Sequence, residues 1–217
     1  MLKAFIFDMD GVIIDSEPLH FETDKMVMKE FGVEVSDEEL TSFVGTTNPY
    51  MWSVLLEKYK LSTSVEELLE LQNKYKSQMF GQSKLSPIEG ITELILNLRE
   101  RGAYIGLASS SSRQFITMIL KALNIYHYFD VIVSGEEVIN SKPAPDIFLK
   151  AAQELQVDPE NCIVLEDSEN GVIGAKAAGM KCIAFKNPNS GIQDLTQADC
   201  IVPTLLGLER SLDKLFE

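Results

Sequence analysis

The sequence predicts an α/β protein: a doubly wound (Rossmann-like) parallel sheet core with an inserted all-helical cap domain. Three observations carry this. Short apolar runs of strand type alternate with helical stretches from about residue 87 onward, the pattern of βα units around a parallel sheet. One further run, Ala4-Phe5-Ile6-Phe7, stands alone near the start and finds partners only in that later sheet. Between them lies a segment with helical periodicity and helix-end signals but no convincing strand.

The elements follow in order. Ala4–Phe7 stops abruptly at Asp8-Met9-Asp10-Gly11. From about Ser16 the period becomes helical, with Leu19, Met26, Val27 and Phe31 as an apolar stripe and Gly32 where a helix-ending glycine belongs. Ser36 with Glu39, and Ser64 with Glu67, have capping-box spacing. Asn48-Pro49 reads as an N-cap followed by the first helical residue. Gly81-Gln82-Ser83-Lys84 reads as a linker. A helix over Ile91–Arg101 ends at Gly102. Strands are predicted at Tyr104–Ala108, Val131–Ser134, Cys162–Leu165, Cys182–Phe185 and Cys200–Val202. Helices near Arg113–Leu123, Asp146–Leu155 and Gly171–Ala178 separate most of them. The implied division is a core from 1–15 and 82–217, and a helical cap over 16–81.

Composition narrows the function. Nineteen basic against 33 acidic residues among 217 give a net charge of −14, which argues against nucleic acid or an anionic membrane as partner. No apolar stretch approaches the ~20 residues of a membrane span, and no secretory pattern opens the chain, so the expected address is cytoplasmic. Cys162, Cys182 and Cys200 are too dispersed for a zinc set and read as small core hydrophobes. His20 and His127 are the only histidines, too few for a multi-histidine metal site. Monomer is the default, since no coiled coil or apolar repeat shows.

Four polar clusters follow predicted strands: Asp8/Asp10, Ser109-Ser110-Ser111, Lys142-Pro143 and Glu166-Asp167. Doubly wound sheets bind ligands outside the carboxyl ends of their strands, so the four should converge. Two carboxylates two residues apart in extended backbone point the same way, and Glu166 and Asp167 add to their repulsion. A hard cation with oxygen ligands relieves it, and Mg²⁺ is the expected one. Aspartates are equally at home as turn and cap residues. Ser109 precedes backbone N–H groups that open a helix, an anion site or an ordinary N-cap. Lys142 offers a cation on a proline-stiffened loop, or a plain surface charge. Four such clusters in order at strand ends are far less expected by accident than any one.

These residues resemble the signature motifs of the haloacid dehalogenase-like hydrolase superfamily. They are Phe7-Asp8-Met9-Asp10-Gly11-Val12, Ala108-Ser109-Ser110-Ser111, Ser141-Lys142-Pro143-Ala144-Pro145-Asp146, and Leu165-Glu166-Asp167-Ser168 with Gly171. The resemblance spans nearly the whole chain and is closest to the beta-phosphoglucomutase and sugar-phosphatase branch with a helical cap. It implies Asp8 as the nucleophile that forms an aspartyl-phosphate and Asp10 as the general acid/base. It implies Ser109, Ser110 and Lys142 around the phosphoryl group. It implies Mg²⁺ at Asp8, the Asp10 carbonyl and Asp167, with Glu166 direct or through water. Gly45-Thr46-Thr47-Asn48 matches the cap loop that dips into the site. Asn48 stands where the mutase carries an arginine for a second phosphate, a departure from the mutase pattern because a neutral amide cannot replace a bidentate guanidinium. His20 matches a histidine that links cap position to Asp10 in the mutase branch, and is equally readable as a locally bonded helix residue. Lys74 reads as solvated, His127 as structural, and Met51 and Trp52 as packing.

The function implied is a Mg²⁺-dependent phosphatase of a small phosphorylated metabolite, a sugar phosphate first. The alternatives are beta-phosphoglucomutase and inorganic pyrophosphatase on the same core. A receiver-like phospho-switch also uses a strand-end Asp, Mg²⁺ and a lysine, but it has no place for an insertion of about 65 residues. Dehalogenation is disfavoured by the full acidic set.

Overall fold

The computed structural model describes residues 3–44, 46–82 and 85–212. Six strands form one parallel sheet: β1 Ala4–Phe7, β2 Tyr104–Ser109, β3 Val131–Ser134, β4 Cys162–Glu166, β5 Lys181–Phe185 and β6 Cys200–Val202, ordered β3-β2-β1-β4-β5-β6. This is the doubly wound order that the alternation predicts. The first strand lies in the middle, with Phe7 opposite Leu107 on one side and Leu165 on the other.

The apolar runs make strands because both faces of the sheet are covered. Phe5 and Phe7 point to one face, where α5 (Ile91–Glu100) and α6 (Arg113–Ala122) bring Leu94, Ile95, Ile116 and Ile119. Ala4 and Ile6 point to the other, against Phe148 and Ala151 of α7 (Asp146–Leu155) and Val172 and Ala175 of α8 (Glu169–Ala177). Phe5, Phe7 and Ile6 are fully buried, and each such side chain stabilises the sheet by about 1.5–3 kcal/mol of transfer free energy. Cys162 and Cys182 are buried free thiols within this packing.

Between β1 and α5 run four helices: α1 Glu17–Glu30, α2 Asp37–Thr41, α3 Asn48–Tyr59 and α4 Val65–Gln82. They enclose their own apolar cluster of Val27, Met28, Leu40, Trp52, Leu55 and Leu68. Several boundaries differ from expectation. Thr47, in extended backbone, is the N-cap of α3, and Asn48 is its first helical residue. Helix α4 runs through Gly81-Gln82, so the expected linker is partly helix, while Ser83-Lys84 lie outside the described residues. The two capping boxes form by half. Ser36 Oγ accepts from Glu39 N–H at 3.2 Å and Ser64 Oγ from Glu67 N–H at 3.2 Å. The Glu39 carboxylate turns instead to Lys58 (2.8 Å) and Tyr59 (2.7 Å), because a cation is a stronger partner than a backbone amide.

Candidate active site

β1 ends in a turn closed by the Gly11 N–H donating to Ile14 O at 2.8 Å. Gly11 has φ +79, and a Cβ there would lie 1.9 Å from Asp167 Oδ2. Both the turn and the approach of Asp167 therefore require glycine. Met9 is buried in the core while Asp8 and Asp10, on either side of it, line a cavity of about 70 Å³. Asn187, just past β5, donates to Gly11 O at 2.9 Å and braces the turn.

Around Asp8 the buried charges are paired. Lys142 Nζ donates to Asp8 Oδ1 at 2.6 Å and to Glu166 Oε1 at 2.6 Å, and reaches Ala108 O at 3.3 Å. Glu166 Oε2 accepts from Asp167 N–H, Ser168 N–H and Ser168 Oγ, each at 2.9 Å. Burial raises the Asp8 carboxyl well above its ordinary pKa, with Lys142 pulling it down and Glu166 and Asp10 pushing it up. Burial alone would lower the Lys142 ammonium; the Asp8 and Glu166 carboxylates nonetheless hold it above its usual value. Lys142 is thus a built-in counter-ion rather than a solvated surface charge.

Asp10 sits in a different network. Its Oδ1 accepts from Ser16 Oγ at 2.5 Å and faces His20 Nε2 at 2.9 Å; its Oδ2 accepts from Ser111 Oγ at 2.8 Å and Ser109 Oγ at 3.3 Å. Burial pushes Asp10 up, but the His20 ring and the Ser16 and Ser111 hydroxyls hold it below the ordinary carboxylate range. Ser16 occupies the N-cap position of α1 yet gives its hydroxyl to Asp10 rather than to the helix. His20 belongs to the inserted helices and Asp10 to the core, so this contact ties the two parts together. Its ring also packs on Phe80 (5.6 Å) and Phe115 (5.3 Å).

One carboxylate oxygen each from Asp8, Glu166 and Asp167 lie within 4.8 Å of one another, all buried. Hard carboxylate donors in excess of the single Lys142 charge fit a hard divalent cation. The Asp10 carboxylate is outside this group and turned to Ser16 and His20. Ser190 Oγ donates to Asp167 Oδ2.

Thr46 and Asn48 line the cavity from the inserted helices, with Ser110 opposite. Gly45 lies outside the described residues. Lys74 is exposed, and Trp52 is fully buried in the helical cluster. Sequence reasoning missed Ser16, Asp24 and Ser190, and named Ser111 only as part of its serine cluster. Asn187 and Ser190 follow β5 directly, so the strand-end rule applied to that strand would have flagged them. Asp24 carried no such signal.

A core of this topology with paired carboxylates, a buried lysine and a serine loop at its strand ends defines a hydrolase of the phosphoryl-transfer class. The Haloacid dehalogenase-like hydrolase profile matches residues 5–185, and the chain belongs to that family. It is 33% identical over 191 residues to hexitol phosphatase B of Escherichia coli K12, covering 87% of this chain and 86% of that protein. It is 32% identical over 182 residues to the phosphorylated carbohydrates phosphatase of Thermotoga maritima, covering 84% of each. Among solved structures, CbbY from Rhodobacter sphaeroides in complex with phosphate superposes with a TM-score of 0.89 at 25% identity over 96% of both chains. Beta-phosphoglucomutase from Clostridium difficile does so with a TM-score of 0.88 at 28% identity, over 99% of this chain and 97% of that one. The activity class is that of the phosphatases. No helix among the described residues is long and apolar enough to cross a membrane.

Proposed function

We propose that this chain is a Mg²⁺-dependent phosphatase of a small phosphorylated carbohydrate, acting through an aspartyl-phosphate on Asp8. The observation that carries the reading is the division of labour between two carboxylates two residues apart. Asp8 is clamped by Lys142 at 2.6 Å, which fixes its rotation for attack. Asp10 is held by hydroxyls and an imidazole, groups that exchange protons readily.

In the first step an Asp8 oxygen bonds to phosphorus, the bond to the leaving oxygen breaks, and Asp10 gives that oxygen its proton. In the second, Asp10 takes a proton from water, the water oxygen bonds to phosphorus, and the bond to Asp8 breaks. Asp10 must be protonated for the first step. An arriving phosphoryl anion beside it disfavours its charged form and raises its pKa. Asp8, Asp167 and the Asp10 carbonyl would hold Mg²⁺, with Glu166 beside them; the ion would neutralise charge on the phosphoryl oxygens. Lys142 and the Ser109–Ser111 hydroxyls and N–H groups would bind that group. The inserted helices act as the cap that excludes water and contacts the leaving group.

The curated relatives support a carbohydrate substrate. The solved mutase shares the fold, but Asn48 supplies no cation for a second phosphate. Hydrolysis of an aryl phosphate should require Mg²⁺ and stop on chelation. It should fall at least 10³-fold in Asp8→Asn, since removing a nucleophile leaves only positioning and electrostatics. Activity persisting in that variant would remove Asp8 from the role.

A further inference from the structure

The cavity above the proposed nucleophile has a floor and a roof of different chemistry. The floor is Asp8, Asp10, Asp167, Ser110, Ser111 and Ser168. The roof comes from the inserted helices: Phe21, Leu40, Phe43, Val44 and Met51 form apolar walls, and Asp24, Thr46, Asn48 and His20 are its polar groups. Four aspartates line this space, and among the described lining residues there is no lysine or arginine. Lys142 is committed to Asp8 and Glu166.

Asp24 is the one carboxylate among the described residues of the roof. It is 4% exposed and lies four residues after His20, on the same face of α1. Gln72 of α4 donates its amide to Asp24 Oδ1 at 2.6 Å and fixes the side chain. Lys76, also buried on α4, is close enough to lower its pKa against the rise that burial causes, and is not among the lining residues. The counter-charge stands in the protein, while the face turned to the cavity is the acidic one. A buried carboxylate costs stability unless it is held this way, and when ionised it can only accept hydrogen bonds.

We infer that Asp24 is a specificity-determining residue that accepts a hydrogen bond from a hydroxyl of the leaving group, so that the site selects monophosphates of uncharged polyols over those bearing a carboxylate or second phosphate. The inference rests on the phosphatase reading above and deepens it. Apolar walls suit the C–H faces of a polyol, and Asp24, Thr46 and Asn48 suit its hydroxyls. A second anion would meet Asp24 with no lining cation to offset it.

The test is a matched set: a hexitol 6-phosphate, the aldonic acid 6-phosphate, a hexose 1,6-bisphosphate, and an aryl phosphate as reference, each with Mg²⁺. The wild-type protein should show kcat/KM for the hexitol ester at least tenfold above the carboxylate and the bisphosphate. In Asp24→Leu the ratio of hexitol to aryl kcat/KM should fall tenfold or more, mainly through KM. In Asp24→Asn the discrimination against the carboxylate should narrow, because the charge is gone while a hydrogen-bonding group stays. Equal wild-type rates on all three sugar esters, or equal loss on hexitol and aryl esters in Asp24→Leu, would overturn the inference while leaving the phosphatase reading intact. Failure to hydrolyse even the aryl ester would overturn both. The wild-type comparison decides on its own if a variant does not fold.

Discussion

The floor and the roof of the candidate active-site cavity are built on opposite principles. On the floor, side chains converge from the ends of β1, β2 and β4 and from the loop after β3, and each buried charge has a partner at hydrogen-bond distance. On the roof, helices present mostly apolar side chains, and in the helices behind it Trp52 Nε1 and Gln72 Oε1 are buried without a hydrogen bond. A saturated network holds one geometry. A sparsely bonded apolar layer can be rebuilt at little cost. On the proposed reading, chemistry is lodged where the sheet fixes positions, and discrimination between leaving groups where packing is permissive.

The sharpest way to break this contrast is on the floor. Lys142→Met leaves Asp8 and Glu166 buried without their cation, and should cost about 3–5 kcal/mol of stability. Burial makes Asp8 take up a proton more readily folded than unfolded, so the deficit should shrink as pH falls. Thermal melting at several pH values checks both. Next comes the seat of the roof on the core. Gly191, at φ +69, faces Thr41 of α2, and a Cβ there would lie 2.4 Å from Thr41 Cγ2. Gly191→Ala should raise KM several-fold and lower stability by about 1–2 kcal/mol, from the left-handed backbone and the displaced threonine. Kinetics should show KM moving more than kcat. The smallest effect is at Asn170, whose Nδ2 donates to Val44 O at 3.2 Å across the same seam. Asn170→Ala should cost about 0.5–1.5 kcal/mol, read as a small rise in KM.

The same contrast explains what could be read from the chain. Asp8, Ser109 and Glu166 were visible because a buried strand announces itself by an apolar run, and polar residues at its carboxyl end have one place to go; Lys142 follows β3 by a longer loop and was visible from its proline-flanked position. All six strands were placed, and β4 runs one residue further than expected, so that Glu166 ends the strand. Asp24, Gln72 and Lys76 were not visible. A polar residue on an amphipathic helix looks solvated until the helix beside it is known, and α1 and α4 bury these three against each other. Ser16 was hidden for another reason. It occupies a cap position, but a nearby carboxylate outcompetes the helix amides for its hydroxyl. The half-formed boxes show related competition: at Ser36 the distant Lys58 takes the Glu39 carboxylate, and at Ser64 the neighbouring Thr63 hydroxyl takes that of Glu67.

The central place of β1 has a consequence in time. Ala4-Phe5-Ile6-Phe7 leaves the ribosome well before β4, its second neighbour, which begins only at Cys162, about 155 positions later. At roughly 5–20 residues per second, synthesis alone separates them by about 10–30 s. Until β2 follows at Tyr104, about two-thirds of the way through that interval, an apolar, uncharged segment of strand-forming residues has no partner strand to join, which is the condition for pairing with the wrong chain. The four inserted helices, with a cluster of their own, emerge within that wait.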